Sequence, residues 1–212
     1  RLLMEAYFKY VEEGMPFVTA KFAMTLDGKI ATHTGDSKWI SGDKARWEVH
    51  GLRHISDAIM VGINTVIADN PQLTARDERG KPRERQPLRV IVDSRGRIPL
   101  NARMISEPGE TLIVVSTATP EARESLVEAG LGVVEAAEDD GSVDLTALMR
   151  HLAGEMDITS LCVEGGASIL GSLFDQGLVH KVIAFVSPTI IGGGDAPSPV
   201  AGRGIDLMSD AI

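Results

Sequence analysis

The chain has 212 residues, a formal net charge of −9 and a single cysteine, and 22 of its residues are glycine. One cysteine excludes a disulfide framework within the chain, so the composition is typical of a protein from a reducing, cytoplasmic setting. The negative charge disfavours non-specific binding of nucleic acid, which depends on basic patches. No apolar run reaches the length that would span a bilayer, and no signal peptide is visible, so we expect no membrane partner.

Helical and extended segments alternate along the chain. Residue patterns predict helices over residues 2–13, 42–54, 64–68, 120–129, 145–152 and 168–176, with Ser41 as N-cap of the second. They predict strands over residues 17–24, 58–62, 88–92, 112–116, 133–134, 160–164 and 181–187. Several strands are apolar on both faces. The sequence therefore predicts an α/β fold with a mainly parallel sheet flanked by helices.

A glycine pair stands between a predicted strand and a predicted helix. Gly165 and Gly166 follow the strand that ends in Glu164. Glycines let backbone N–H groups approach a phosphate at a helix N-terminus, but any tight turn from strand to helix also uses glycine. The spacing is not that of the dinucleotide-binding fingerprint. Glu164 itself lies where ligands bind in α/β sheets, or else it caps the helix or pairs with a lysine.

Four further side chains have two interpretations each. Lys21 interrupts an apolar strand, either as a functional cation or as a lysine that protects an edge strand. Arg53 and Arg76 suit a phosphate ligand, and both also suit an ordinary surface position. Trp39 stands in a polar loop, where it either closes a pocket or anchors the loop.

The histidines give no metal site. His50 and His54 are four residues apart on a predicted helix, but no H-E-x-x-H motif and no second cysteine accompany them. Histidines in that arrangement are typically exposed or packed. We therefore predict that the protein holds no metal.

The order of several motifs is more specific than any one of them. Residues 21–31, 37–41, 52–53, 57–76, 89–94, 163–166 and 188–194 together closely resemble the reductase domain of bacterial bifunctional riboflavin-biosynthesis proteins. The resemblance covers essentially the whole chain, most weakly over 95–155. It implies a fold like that of dihydrofolate reductase. It also implies NADPH-dependent reduction of 5-amino-6-(5-phosphoribosylamino)uracil to the ribitylamino compound.

The resemblance also assigns residues. It implies that the substrate is bound by Ser37, Arg53, Leu73, Arg76 and Glu164. It implies that NADPH is bound by Ala23, Trp39, Thr65, Asp69, Ser94, Gly165, Gly166, Ala167, Ser168, Ile169, Leu170, Gly171 and Ser172. Ser94, beside Arg95, is the expected reader of the adenosine 2′-phosphate. Hydride transfer to C1 of an opened ribose needs a proton donor or an electrostatic partner near the ring oxygen or the glycosylamine nitrogen. Lys21 and Glu164 are the two candidate catalytic residues for this role.

The same resemblance sets expectations about organisation. It implies one reductase domain over residues 1–212, with residues 1–15 as a connector helix and one or two C-terminal strands missing. It further implies a homodimer, and a possible fusion to an N-terminal zinc deaminase, of which this chain contains nothing. Two other interpretations remain open. One is a related reductase that acts on a diaminopyrimidinone phosphate or on dihydrofolate, and the other is a non-catalytic NADP-binding module.

Overall fold

The computed structural model describes residues 4–211. Its centre is one seven-stranded sheet with the strand order β5-β4-β3-β2-β6-β1-β7, and all six neighbouring pairs are parallel. The strands are β1 (Phe17–Thr25), β2 (Ala58–Gly62), β3 (Leu88–Val92), β4 (Thr111–Val115), β5 (Gly132–Glu135), β6 (Ser160–Glu164) and β7 (Lys181–Ser187). The predicted parallel α/β fold is confirmed.

Helices cover both faces of the sheet. They are α1 (Glu5–Glu13), α2 (Asp43–Ile55), α3 (Ile63–Asp69), α4 (Pro120–Glu128), α5 (Leu145–Met156) and α6 (Ala167–Asp175), with short 3₁₀ turns at Arg103–Ser106 and Met208–Asp210. One apolar core joins α5 and α6 to the sheet, and a second core joins α3 and α4 to its other face. Residues 2 and 3 of the first predicted helix lie outside the described residues. None of the helices described is long and apolar enough to cross a membrane.

The start of α2 differs from the prediction. Gly42, in an extended conformation, is the N-cap, and no side chain caps the helix. Ser41 is wrong as the N-cap because it lies one residue too early. Its carbonyl oxygen instead accepts a hydrogen bond from Arg46, which also pairs with Asp43.

The strand order places β1 inside the sheet. β1 pairs with β6 on one side and with β7 on the other, so the interpretation of Lys21 as an edge-strand lysine is wrong. The order also brings together β2 and β6, whose following helices, α3 and α6, pack on opposite faces. Such a reversal opens a crevice at the carboxyl ends of the strands, where α/β proteins bind ligands.

A histidine closes the amino-terminal end of the β1–β7 pair. The backbone N–H of Val18 donates a hydrogen bond to His180 Nδ1 at 2.9 Å, and the N–H of His180 donates to the Val18 carbonyl at 3.0 Å. The imidazole stacks on Phe17 with 5.3 Å between ring centroids. Nδ1 must be unprotonated to accept this bond. Burial, together with the charge of Lys9, lowers the pKa of His180 below its ordinary 6.5.

This pairing predicts acid-sensitive stability. Because the pKa of His180 is lower in the folded chain than in the unfolded chain, its contribution is complete above about pH 6.5 and is lost as the pH falls through the folded-state pKa. His180→Asn, whose amide oxygen accepts the same hydrogen bond without titrating, is expected to retain about 1 kcal/mol more of its neutral-pH stability at pH 5 than the wild type does. Urea unfolding at pH 7.5 and 5 measures this.

The control is His33→Asn, which changes an exposed histidine in the loop after β1. It should follow the wild-type profile. Parallel loss of stability in His180→Asn and the wild type would show that His180 does not carry this acid sensitivity.

Candidate active site

A buried ion pair lies where the pairing of β1 with β6 ends, between Lys21 in the middle of β1 and Glu164 at the carboxyl end of β6. The register sets Lys21 directly beside Glu164, and Lys21 Nζ lies 3.9 Å from Glu164 Oε2. The Glu164 side chain is 6% exposed and that of Lys21 is 16% exposed. The lysine ammonium also lies 6.0 Å from the centroid of the Phe185 ring on β7. The structure thus brings together the two residues that the sequence predicts as catalytic.

Arg53 of α2 adds a second cation beside the Glu164 carboxylate. Its Nε donates to Glu164 Oε1 at 2.6 Å and its Nη2 to Oε2 at 2.8 Å, a two-pronged contact that matches the planes of the two groups. Burial by itself would raise the pKa of the Glu164 carboxyl, but the charge and hydrogen bonds of Arg53, with the charge of Lys21, outweigh it and hold this pKa below its ordinary value. Glu164 is therefore a carboxylate. Arg53 is not an ordinary surface arginine.

Two residues of the site were not predicted from the sequence. The carbonyl oxygen of Thr74 lies 3.0 Å from His50 Nδ1 and accepts from Arg53 Nη1 at 3.2 Å. Since a carbonyl only accepts, His50 Nδ1 carries the proton, and burial lowers the pKa of this histidine, which favours the neutral ring. His50 precedes Arg53 by three residues, which places both on one face of α2. That spacing is the signal available in the sequence.

Arg76 lies at the outer end of this group. Its Nε donates to the Thr74 hydroxyl at 2.9 Å, its Nη1 donates to the Gly80 carbonyl at 2.9 Å, and its Nη2 lies 3.5 Å from the Glu107 carboxylate. The Arg76 side chain is 22% exposed, so it is half-buried rather than an ordinary surface arginine. Arg76 is thus oriented from three sides.

The other two predicted substrate contacts are less direct. Leu73 has a positive φ of 52° and is 2% exposed, with its side chain in the core beside α3. With the whole residue buried, Leu73 offers its side chain to the core and not to a ligand, and its role as a substrate contact stays a prediction. Ser37 lies in the loop before α2, where its carbonyl accepts a hydrogen bond from the N–H of Ile40. Ser37 thus lies in the segment that leads to α2, and no hydrogen bond joins it to Lys21, Glu164 or Arg53.

A cleft of about 250 Å³ opens at the carboxyl ends of β2, β3 and β6. Six predicted cofactor residues line it, namely Thr65, Ser94, Gly166, Ser168, Ile169 and Ser172. Gly166 has a φ of 86°, and a Cβ there would lie 3.2 Å from Thr65 Oγ1. The lining side chains are apolar, hydroxyl or amide groups, and α6 directs its free N-terminal N–H groups to this region. These groups fit an uncharged nucleoside and the phosphates next to it.

A second cavity of about 440 Å³ adjoins the first at Ser94. Arg95, Arg97 and Thr117 line it, together with Asp140 and Gly141. Arg97 lies near a buried carboxylate, with its Nε 3.7 Å from Asp93 Oδ1. The two cavities share Ser94. The lining of the first has no charged side chain, whereas that of the second has two arginines and one aspartate and is net positive. Arg97 was not predicted from the sequence as a site residue.

The remaining predicted cofactor residues do not line the cleft. They are Ala23, Trp39, Asp69, Gly165, Ala167, Leu170 and Gly171. Ala167 and Gly171 face another segment instead, because the Ala167 carbonyl accepts from the N–H of Ala201 and a Cβ on Gly171 would lie 2.4 Å from the Ala201 backbone. Trp39 is 71% exposed, and one face of its ring is covered by the Arg46 guanidinium at 4.5 Å.

Metal-binding groups do not assemble within residues 4–211, where no three His, Cys, Asp or Glu side chains are grouped so as to hold an ion. The single cysteine, Cys162, is buried in β6, and burial raises the pKa of its thiol to about 12. A thiol with that pKa stays protonated and is a poor nucleophile at neutral pH. The charged groups that the structure brings together at the carboxyl end of β6 are Lys21, Glu164 and Arg53.

Comparison with known proteins places this arrangement in a family. Residues 16–210 match the family model described as the RibD C-terminal domain. The chain is 45% identical over 197 residues to the 2,5-diamino-6-ribosylamino-4(3H)-pyrimidinone 5′-phosphate reductase of Methanothermobacter thermautotrophicus, covering 93% of this chain and 89% of that protein. It is 39% identical over 208 residues to the riboflavin biosynthesis protein RibD of Actinobacillus pleuropneumoniae, covering 97% of this chain and 54% of that protein.

A solved structure agrees. The diaminohydroxyphosphoribosylaminopyrimidine deaminase/5-amino-6-(5-phosphoribosylamino)uracil reductase of Thermotoga maritima is 35% identical and superposes with a TM-score of 0.75, over 97% of this chain and 53% of that one. The chain thus spans about half the length of the RibD protein and of this two-activity protein. The parallel sheet, the family-model match over nearly the whole chain and the identity to these relatives lead to one conclusion: the chain belongs to the RibD C-terminal domain family.

Proposed function

We propose that this chain is an NADPH-dependent reductase that converts 5-amino-6-(5-phosphoribosylamino)uracil to its ribitylamino product. The observation that carries the proposal is the position of the Lys21–Glu164–Arg53 cluster. It lies at the carboxyl end of β6, with Lys21 in the middle of β1, and the nucleotide-sized cleft opens at the carboxyl end of β6 as well. The name of the Thermotoga maritima relative includes this uracil reductase activity.

Family membership is consistent with a nicotinamide cofactor, and the residues of the site fit one. Thr65, Ser168 and the N-terminus of α6 would hold the phosphates that join the two nucleosides. Ser94, with Arg95 and Arg97, would hold a further phosphate on the adenosine ribose. That phosphate distinguishes NADPH from NADH, so we infer NADPH as the cofactor.

Lys21 is the residue best suited to supply a proton. NADPH, when bound, supplies the hydride that is added to C1 of the ribose. Ring opening breaks the bond between C1 and the ring oxygen, and that oxygen takes a proton while the glycosylamine nitrogen forms a double bond to C1. The Lys21 ammonium has three N–H groups. Among residues 4–211, Glu164 is the one carboxylate within 4.0 Å of its Nζ, at 3.9 Å. The ammonium can donate the proton to the ring oxygen, and the hydride then restores a single bond between C1 and nitrogen.

Glu164 has a different role in this proposal. As a carboxylate held by both prongs of Arg53 it has no proton to give. Its negative charge holds the Lys21 ammonium in place, and its oxygens can accept bonds from ribose hydroxyls. Arg53 spends its nitrogens on Glu164 and Thr74. The Arg76 side chain is more exposed, at 22% against 14% for Arg53, and its nearest carboxylate lies 3.5 Å away rather than 2.6 Å. Arg76 is therefore the better phosphate ligand of the two arginines.

A second substrate has a specific observation in its favour. The Methanothermobacter thermautotrophicus relative, named as a reductase of the diaminopyrimidinone phosphate, is 45% identical to this chain. The two substrates share the phosphoribosylamino group and differ in the pyrimidine ring. NADPH oxidation with each compound, and with dihydrofolate, separates the candidates. Turnover of the aminouracil at the highest kcat/KM supports the proposal, and failure of all three substrates would favour a non-catalytic binding protein.

Replacement of Lys21 tests the proton donor. Lys21→Met keeps most of the side-chain volume and removes the ammonium, so kcat should fall by about 100-fold or more while the substrate KM changes by less than about threefold. Steady-state rates of NADPH oxidation measure both. Lys181→Met, which changes an exposed lysine on β7 that pairs with Glu5, is the control and should keep wild-type rates. An unchanged kcat in Lys21→Met would remove Lys21 from the chemical step.

Replacement of Arg97 tests the choice of cofactor. The wild type is expected to prefer NADPH over NADH by at least about tenfold in kcat/KM, because charge-assisted bonds to the extra phosphate are strong. Arg97→Gln should lower kcat/KM for NADPH by about tenfold and leave that for NADH within about twofold. The matched control is Arg103→Gln, an exposed arginine outside both cavities. Equal kcat/KM values of the wild type for the two cofactors would argue against a phosphate subsite at Ser94.

A further inference from the structure

Thr74 lies at a junction that joins three nitrogen-bearing side chains. It is completely buried at 0% exposure. Its carbonyl oxygen accepts from Arg53 Nη1 at 3.2 Å and lies 3.0 Å from His50 Nδ1, while its hydroxyl oxygen accepts from Arg76 Nε at 2.9 Å. Both polar groups of one residue therefore orient the cationic side of the site.

The backbone around Thr74 is itself fixed. Leu73, with its φ of 52°, turns its side chain into the core, while the next residue contributes its carbonyl to the site. Ala75 is held on both sides by Gln86, which accepts from the Ala75 N–H at 2.8 Å and donates to the Ala75 carbonyl at 2.9 Å. Thr74 lies between these two anchored residues. The Thr74 hydroxyl therefore has a fixed position, from which it accepts the hydrogen bond of Arg76 Nε.

We propose that Thr74 is a positioning residue for recognition of the substrate phosphate, and that its hydroxyl acts by aligning the Arg76 guanidinium. This inference rests on the proposed function in taking Arg76 as the phosphate ligand. Arg76 has a competing partner, since its Nη2 lies 3.5 Å from the Glu107 carboxylate. Without the Thr74 hydroxyl, Nε loses its acceptor, and the guanidinium keeps only the Gly80 carbonyl and the Glu107 carboxylate as partners. The group can then tilt into a closer pair with Glu107, which a phosphate would have to displace.

Two substitutions separate the hydroxyl from the shape of the residue. Thr74→Val is nearly isosteric and lacks the hydroxyl, whereas Thr74→Ser retains it. In Thr74→Val the KM for the phosphorylated substrate should rise about tenfold, with kcat within about threefold and the KM for NADPH unchanged. Thr74→Ser should stay within about threefold of the wild type. An unchanged substrate KM in Thr74→Val, or an equal rise in both KM values, would overturn the proposal.

A double-mutant cycle tests whether Thr74 acts through Arg76. Arg76→Met removes the group that Thr74 is proposed to align, so adding Thr74→Val to it should raise the substrate KM no further. Full additivity of the two effects would show that Thr74 acts elsewhere and would contradict the proposal. The same cycle can be measured without turnover, by calorimetric titration of ribose 5-phosphate, which is the substrate without its base.

A measurement on the wild type avoids any dependence on a folded Thr74 variant. The Arg76 Nε–H is expected to exchange slowly with solvent in the ligand-free protein, as a ¹⁵N NMR signal that is absent from Arg76→Lys. Appearance of that signal only after ribose 5-phosphate is added would show that Arg76 is not aligned in advance. If the wild type binds ribose 5-phosphate but turns over none of the pyrimidines, the proposed reaction is wrong. The NMR signal of Arg76 and the double-mutant cycle measured with ribose 5-phosphate still test whether Thr74 positions Arg76.

Discussion

The site depends on one buried carboxylate that stays ionised. Glu164 at the end of β6 is 9% exposed when the whole residue is counted, and an unpaired charge at that depth would be costly. Arg53 offsets this cost with two nearly parallel hydrogen bonds, and Lys21 adds a second positive charge from the neighbouring strand. Removing Arg53 would take away both hydrogen bonds of the carboxylate and leave it with only the more distant charge of Lys21, so α2 and β6 are tied to one another at this point.

The same carboxylate links the architecture to the chemistry. Because β1 lies between β6 and β7, its lysine is enclosed by protein on both sides rather than left on a sheet edge. The parallel register then puts Lys21 beside Glu164, at the end of the sheet where the cleft of Gly166 and Ser94 also opens. The charged side chains of Lys21, Glu164 and Arg53 and the uncharged cleft thus both lie near the carboxyl end of β6. A reductase needs this arrangement, since hydride donor and acceptor must be held close together.

The site also shows how a net charge of −9 is compatible with anionic ligands. Arg53 and Lys21 are partly neutralised by Glu164, but Arg76 is half-buried and Arg95 and Arg97 line the cavity beside Ser94. The cations are local, and the surplus of carboxylates lies elsewhere on the chain. Global charge therefore disfavours partners that are bound through large basic surfaces, but it is compatible with a small molecule that carries one or two phosphates.

Local sequence determined the elements and much of the chemistry. Largely apolar runs of two to eight residues predicted the strands, and glycines and prolines predicted their ends. The motifs that resemble a known family singled out Lys21, Arg53, Arg76 and Glu164, which the structure brings together. Those signals are local because hydrogen bonding and side-chain periodicity within an element depend on neighbours a few residues away. The prediction of Ser41 as N-cap failed by one residue, because Gly42 occupies that position and no side chain caps the helix. The backbone conformation at a helix start is hard to predict to the residue.

Only the tertiary structure decided which groups meet. The sequence does not state that β1 is internal, that Arg53 is committed to Glu164, or that Thr74 and His50 belong to the same site, because these contacts join segments far apart in the chain. The cofactor residues divide in the same way, with Ser168 and Ser172 lining the cleft while Ala167 and Gly171 face the segment at Ala201. Helix periodicity separates the two faces of α6, but strand order and packing decide what each face touches.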